Sequence, residues 1–332
     1  MVCTYRHASS ALHFFLNSRT QQNTVLDKNR GRTVVKKVGR DRVIYSFNPQ
    51  HDPAEHVAPG EIILVETEDA FSGQIRSEKD SVNVLDWSRV DGATGPIFVE
   101  GARPGDTLVV EILEIKVPKK GAIVTVPKCG ILAEKRFGPS SRIVRINRNL
   151  VSFESVQLRA NPMIGTIGVT PEGGEIPCGS LGKHGGNMDV KEVTSGTKLY
   201  LPVFVEGALL ALGDVHAVQA DGELCVSAVE VPGEVLLRFK LIKRKKPDWP
   251  ILETRDSYAF LACAETLDEA ARFAAEAAVE AFMREHHWSF ETAYMFGSLA
   301  IDLKISQVVD PKKGVRAVVS KDLIDLGGSL LV

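Results

Sequence analysis

Arg103-Pro104-Gly105-Asp106, running into Thr107-Leu108-Val109-Val110-Glu111-Ile112-Leu113-Glu114-Ile115-Lys116-Val117, decides the fold class. Proline presets φ for a turn and glycine tolerates the left-handed conformations that turns use, so the chain reverses there. The run behind the turn is rich in β-branched residues and has no helical period, which reads as a strand. The same device recurs at Ala58-Pro59-Gly60 ahead of Glu61–Thr67, and at Pro232-Gly233-Glu234 ahead of Val235–Ile242. Working outward, Arg42–Phe47 and Pro96–Val99 are further short strand candidates. From Asn161 to Gly233 the chain is glycine-rich, with apolar runs at Ile164–Val169, Leu199–Val205 and Leu209–Leu212. Irregular stretches of that length inside a compact domain are usually functional or disordered, and the glycine density with the near absence of Lys and Arg between Asn161 and Gly182 favours function.

The C-terminal part changes character. Thr266-Leu267-Asp268-Glu269 is a capping box, in which Thr and Glu satisfy each other's free backbone amides, and it opens an alanine-rich helix to about Arg284. A second helix is predicted from Ser289 to about Ala300. Strands at Leu303–Val309 and Val315–Ser320 follow, around the turn Asp310–Gly314. Strands come first and helices late, without βαβ alternation, which excludes Rossmann and TIM-barrel architectures. The expected fold is α+β and predominantly β, with barrel- or sandwich-like β layers and a small C-terminal α/β part. Residues 1–40 are expected to be a poorly ordered extension, 41–245 the β-rich part and 246–332 the α+β part.

With 332 residues and a net charge of −2, the chain has no electrostatic reason to bind nucleic acid or an anionic membrane. No apolar run reaches the ~18 residues that span a bilayer. Five scattered cysteines form neither a CxxC pair nor a disulfide framework, which points to a reducing compartment. The cytoplasm is therefore the expected location. The acid-free stretch before Asp27 is a weak echo of an organelle-targeting segment. Neither a Walker loop nor a GxGxxG turn after a strand is present, so no nucleotide cofactor is expected.

The densest group of reactive side chains is Gly213-Asp214-Val215-His216-Ala217-Val218-Gln219-Ala220-Asp221-Gly222-Glu223. Asp221-Gly222 is a two-residue hairpin signal, and such a turn pairs 220 with 223, 216 with 227 and 214 with 229. Asp214 and His216 then share one strand face with Glu223 and Cys225, while Val215, Ala217, Leu224, Val226 and Ala228 face the core. A carboxylate and an imidazole so placed suit either a metal or an oriented general base; a solvated polar hairpin remains an equal reading. A second group, Gly182-Lys183-His184-Gly185-Gly186-Asn187-Met188-Asp189, gathers polar groups around a glycine bend that can present backbone amides. A third, Glu66-Thr67-Glu68-Asp69 before Gly73, reads as a site rim or as solvated loop charge.

These blocks carry a family resemblance. Thr94-Gly95-Pro96-Ile97-Phe98-Val99-Glu100-Gly101-Ala102, Asn161-Pro162-Met163-Ile164-Gly165, His184-Gly185-Gly186-Asn187-Met188-Asp189, Tyr200–Val205 and Gly213-Asp214-x-His216…Asp221-Gly222-Glu223 are similar to blocks of the acetamidase/formamidase family, in order, over roughly residues 45 to 320. The resemblance implies hydrolysis of a short aliphatic carboxamide to carboxylate and ammonia, a β-dominated fold, a small amide as the only partner besides further copies in a homo-oligomer, and a divalent metal such as zinc or calcium. It maps metal ligands onto Asp69, His184, Asp189, Asp214 and His216. Catalytic roles fall on Glu223, Asp214, His216 and His184, and substrate binding on Gly185, Gly186 and Asn187. A metal-free hydrolase, with a carboxylate or Cys225 acting directly, and an idle binding or assembly protein of the same fold are the alternatives. The chain departs from the family pattern at Asp91, and at Ala220 and Val226, where glycine is usual.

Overall fold

The computed structural model describes residues 35–147 and 149–325. The two strands launched by Pro-Gly-acid turns, Thr107–Lys116 and Glu234–Ile242, lie side by side and antiparallel, from Glu234 opposite Lys116 to Ile242 opposite Thr107. The acid of the first turn latches them: Asp106 accepts from the Arg103 and Arg244 amides and pairs with Lys243. Around this pair a nine-stranded sheet is ordered Lys36–Val38, Ile62–Glu66, Glu234–Ile242, Thr107–Lys116, Lys198–Pro202, Ile251–Glu253, Ser257–Ala264, Lys313–Ser320, Asp302–Ile305. The strand Lys36–Val38 falls inside the stretch read as an unstructured extension; it pairs parallel with Ile62–Glu66. The remainder of that extension, residues 1–34, lies outside the described residues.

A second, larger sheet carries Leu210–His216 at its middle, between Met163–Gly168 on one edge and Ala93–Val99 and Glu230–Val231 on the other. It continues outward through Lys120–Thr125, Ser140–Asn147, Leu150–Phe153 and Val156–Arg159, a meander that strand-run and turn signals did not reveal. One apolar core joins the two sheets face to face: Ile63, Val110, Leu199, Leu237 and Phe239 come from the first, and Ile97, Ile164, Ile167, Leu212 and Val215 from the second. The architecture is the predominantly β, layered α+β fold expected.

The helices form a third layer on the outer face of the nine-stranded sheet. α1 (Leu267–His286) starts at Thr266, whose side chain accepts from the Glu269 amide, and ends on His287 in a left-handed conformation. Ala270, Ala274, Ala278, Ala281 and Phe282 make its buried stripe, at the spacing of one helix face. α2 (Phe290–Ala300) follows, with Ser289 as its cap. Alternation along Ser257–Ala264 explains why that strand is buried on both sides: Tyr258, Phe260 and Ala262 pack with the helices, whereas Ala259, Leu261 and Cys263 face the inter-sheet core. No described helix is long and apolar enough to cross a membrane.

Candidate active site

The site arises where Leu210–His216 changes partners. Along one edge, Leu210, Leu212 and Gly213 pair with Ala93–Val99; beyond Asp214 the same edge takes up Glu230–Val231, with Val215 opposite Val231 and His216 opposite Glu230. Asp214 sits at the handover with φ of 52°, a left-handed conformation rare for anything but Gly, Asn and Asp. Its carboxylate is swung over Gly165, whose bare face makes the room: a Cβ there would stand 2.4 Å from Asp214 Oδ2 and 2.6 Å from Asp189 Oδ1.

The tight hairpin expected at Asp221-Gly222 does not form. The return strand is shifted by three residues relative to that pairing, and residues 217–229 form an irregular excursion instead. Non-local contacts hold this loop open. Gly222 donates to Ser306 O and accepts from the Val308 amide, and buried Arg316 binds both Asp221 and Glu192 while donating to Ile305 O. Leu224, expected in the core, is 59% exposed, and Val226 takes a φ of 74°. That is an outlier for a β-branched residue and explains why glycine suits the position.

His216 is fully buried at the centre of the cluster. Gln219 donates to the Asp189 carbonyl through Nε2, so its Oε1 faces His216 Nδ1 at 2.8 Å and fixes a proton on that nitrogen. His216 Nε2 then lies 3.0 Å from Asp214 Oδ1 and 3.0 Å from Glu230 Oε2. Burial alone would keep the imidazole neutral, but the Glu230 and Asp214 carboxylates outweigh it and hold its pKa well above the usual histidine value. Asp214 feels the converse: burial opposes its charge, and His216 keeps its pKa below the ordinary carboxylate value. Glu223 is pushed well above it, first by burial and then by Asp189. Asp189 shifts the same way through burial and Asp214, and Glu230 rises mainly through burial.

A cavity of about 90 Å³ opens onto this cluster. Asp91, Asn187, Asp214, Glu223, Glu230 and Asp310 supply its polar lining, and Phe71, Trp87 and neighbouring aliphatic side chains the rest. Asn187 donates through Nδ2 to Asp310 Oδ2 at 3.1 Å and accepts from Thr166 Oγ1 at 2.7 Å. Burial, and then Asp214, push the Asp310 carboxyl up to about 7 against the opposing hydrogen bond from Asn187. Two triads of close ligand atoms, Asp189–His216–Glu223 and Asp214–His216–Glu230, reach the cavity through Asp214, Glu223 and Glu230, with Asp189 and His216 behind its lining. Both carboxylate oxygens of Asp189 are buried without a hydrogen-bond partner. Such orphaned oxygens in a low-dielectric site call for a cation or for protons.

Of the residues singled out from sequence, Asp189, Asp214, His216 and Glu223 converge, and Asn187 joins them on the cavity wall. Asp69 does not: its Oδ1 accepts from the Phe71 and Gly73 amides and shapes the loop that carries Phe71, so it belongs to neither triad. Gly185 and Gly186 are also elsewhere. A Cβ on Gly185 would stand 2.4 Å from Ile167 O and one on Gly186 2.1 Å from Ser180 O, so these glycines permit strand packing and do not line the cavity. His184 lies edge-on to Phe47, 5.0 Å between ring centroids, and belongs to neither triad. Burial, assisted by Lys312, lowers its pKa to about 4, which leaves a neutral ring. Cys225 is half-buried with its thiol on Val124 O and Ser227 O, and burial raises its pKa, the opposite of what a nucleophile needs. Sequence reasoning missed Glu230, Gln219, Asp91 and Asp310. Glu230 carried a signal, an acid in an apolar run just before Pro232-Gly233, but only the true register sets it against His216.

Comparison with known proteins identifies the family of the chain. The Acetamidase/Formamidase family model matches residues 37–177 and 175–325. The structure superposes with a TM-score of 0.84 on a protein from Thermoanaerobacter tengcongensis described as a predicted acetamidase/formamidase, at 44% identity over 86% of this chain and 95% of that one. It superposes with the same score on an acetamidase from Bacillus halodurans, at 39% identity over 86% and 97%. An acetamidase of Mycolicibacterium smegmatis is 27% identical over 61% of this chain and 68% of that protein. The curated relatives are matched over 61% to 68% of their own length. The chain belongs to the acetamidase/formamidase family.

Proposed function

We propose that this chain is an amide hydrolase that cleaves carboxamides to a carboxylate and ammonia at the cavity floored by Asp214, Glu223 and Glu230. One observation carries the reading: Asp214 and Glu223 line the same cavity and are shifted in opposite directions, Asp214 downward by His216 against its burial and Glu223 upward by burial and Asp189. Pairs of that kind divide the roles of base and acid at neutral pH. Amide hydrolysis needs both, because water must lose a proton as it adds and the leaving nitrogen must gain one before the C–N bond breaks.

In the proposed sequence the ionised Asp214, held by His216, orients the attacking water and takes its proton. Asn187, which lines the cavity and has one Nδ2 hydrogen on Asp310, would use the other to steady the oxygen that becomes negative as water adds to the carbonyl carbon. Protonated Glu223 then gives its proton to the nitrogen, ammonia leaves, and the carboxylate product departs. The proton taken up at Asp214 restores the acid. His216 acts through its neighbours, keeping Asp214 ionised in a site whose burial opposes charge.

The donor set also fits a divalent cation, zinc or calcium. Asp189 contributes two unpartnered oxygens, Gly165 leaves room above which two carboxylates meet, and Asp214, Glu230 and Glu223 converge on one imidazole. With one proton fixed on His216 Nδ1, a cation would take the place of the second proton, on Nε2 beside Asp214 and Glu230. When bound, such an ion would polarise the carbonyl and acidify water. The test is an ammonia-release assay on small amides with metal analysis of the same sample. Ammonia and carboxylate are expected in equal amounts, with metal copurifying and chelation removing activity. Unchanged turnover in metal-free protein would refute the metal, and silence on every amide would refute the hydrolase.

A further inference from the structure

The cavity has two kinds of wall, and the amide chemistry uses only one. Carboxylates and Asn187 make the floor; Phe71, Val90, Val124, Val126, Val309 and Trp87 make the sides. These sides are built, not incidental. Phe71 and Val124 belong to a packed apolar cluster with Ile75, Val82 and Leu85, so they cannot fold away. Trp87 opens a short 3-10 turn whose cap is Asp86, accepting from the Ser88 amide, and it is 53% exposed while lining the cavity. A large apolar side chain left in water at the mouth of a polar-floored cleft is the pattern of a ligand wall.

Size points the same way. A water needs about 10–15 Å³ on the scale that gives this cavity about 90 Å³, so there is room on the order of six waters. Formamide or acetamide would occupy the floor and leave the apolar sides wet. A carboxamide bearing a longer apolar acyl group would put its amide on Asn187 and Glu223 and its chain between Phe71, Trp87 and Val126.

On these grounds, and resting on the amidase reading above, we infer that the preferred substrates are carboxamides with an apolar acyl group larger than acetyl, of butyramide to benzamide size. The experiment is a kcat/KM series over formamide, acetamide, propionamide, butyramide and benzamide with the full-length protein. Values are expected to rise roughly four- to tenfold per added methylene up to butyramide, the gain from burying one such group in an apolar pocket. Trp87→Ala is expected to lower the butyramide-to-acetamide ratio about tenfold, chiefly through KM. Should that variant fail to fold, the ranking is read on wild-type protein, where butyrate is expected to inhibit acetamide turnover competitively and more tightly than acetate. A series that is flat, or greatest for formamide and falling thereafter, overturns the inference and leaves the amidase reading standing. An unchanged ratio in folded Trp87→Ala also overturns it. No ammonia from any of the five amides removes the amidase reading and this inference together.

Discussion

The helical layer and the carboxylate site are built from the same chain by opposite rules. In the layer, α1 lays an alanine stripe and Phe282 on Tyr258, Phe260 and Ala262, and its first turn is capped by Thr266. Each local preference agrees with the global fold. At the site, Asp91, Asp189, Asp214, Glu223 and Val226 all hold positive φ, and acids crowd one buried imidazole. Conformations of that kind cost on the order of 1–3 kcal/mol each and persist only where the surroundings over-determine them. The difference teaches where this protein spends stability: the core supplies it, and the floor of the cavity consumes it to set protonation states.

Activity should respond most to the floor. Glu223→Gln keeps the shape and removes the proposed proton donor, so ammonia release is expected to fall about 10²–10⁴-fold. In chelator-treated protein the same change should raise stability by about 0.5–2 kcal/mol, because it relieves a buried acid beside other acids. Denaturant melts of the two metal-free proteins check this; a destabilised Glu223→Gln would break the contrast. Phe282→Ala is the mirror experiment. It should cost about 3–5 kcal/mol of stability while the folded fraction keeps its kcat.

Asp310 sharpens the contrast by pH. Its folded pKa of about 7 lies above the ordinary 3.8, so the folded state keeps a proton that the unfolded chain releases. The resulting stability is complete below pH 3.8 and is lost as pH rises through about 7. Melting temperature of metal-free protein should therefore drop between about pH 4 and pH 7, and Asp310→Asn should flatten that drop. The smallest effect is expected at Val226→Gly, where relief of the positive φ outweighs the added chain entropy by about 1 kcal/mol. An unchanged or lower denaturation midpoint would mean that Val226 bears no strain.

What the sequence revealed follows the same division. Pro-Gly turns and β-branched runs located the strands Thr107–Lys116 and Glu234–Ile242 closely, and the capping box located α1, because local signals and tertiary packing agree there. Asp214 and His216 were legible as a pair through their spacing. Asp189 and Glu223 were named with them, but Glu230 and Gln219 were not, because the 217–229 excursion is shaped by Gly222, Asp221 and Arg316 contacts to residues far along the chain. Local turn chemistry at Asp221-Gly222 lost to those bonds, and the three-residue register shift that follows is what sets Glu230 against His216. Asp69 misled for the reverse reason: an acid beside a glycine turn was satisfying its own loop.

The central claim is that His216, through Asp214 and Glu230, keeps one carboxylate charged in a site built to protonate acids. His216→Asn tests it most directly, with initial rates of ammonia release measured against pH for equal amounts of folded variant and wild-type protein. The account predicts a rate reduced about 10²–10⁴-fold at neutral pH and an acid limb displaced to higher pH, since Asp214 without its imidazolium would stay protonated longer. A variant with wild-type rates and an unshifted acid limb would contradict it.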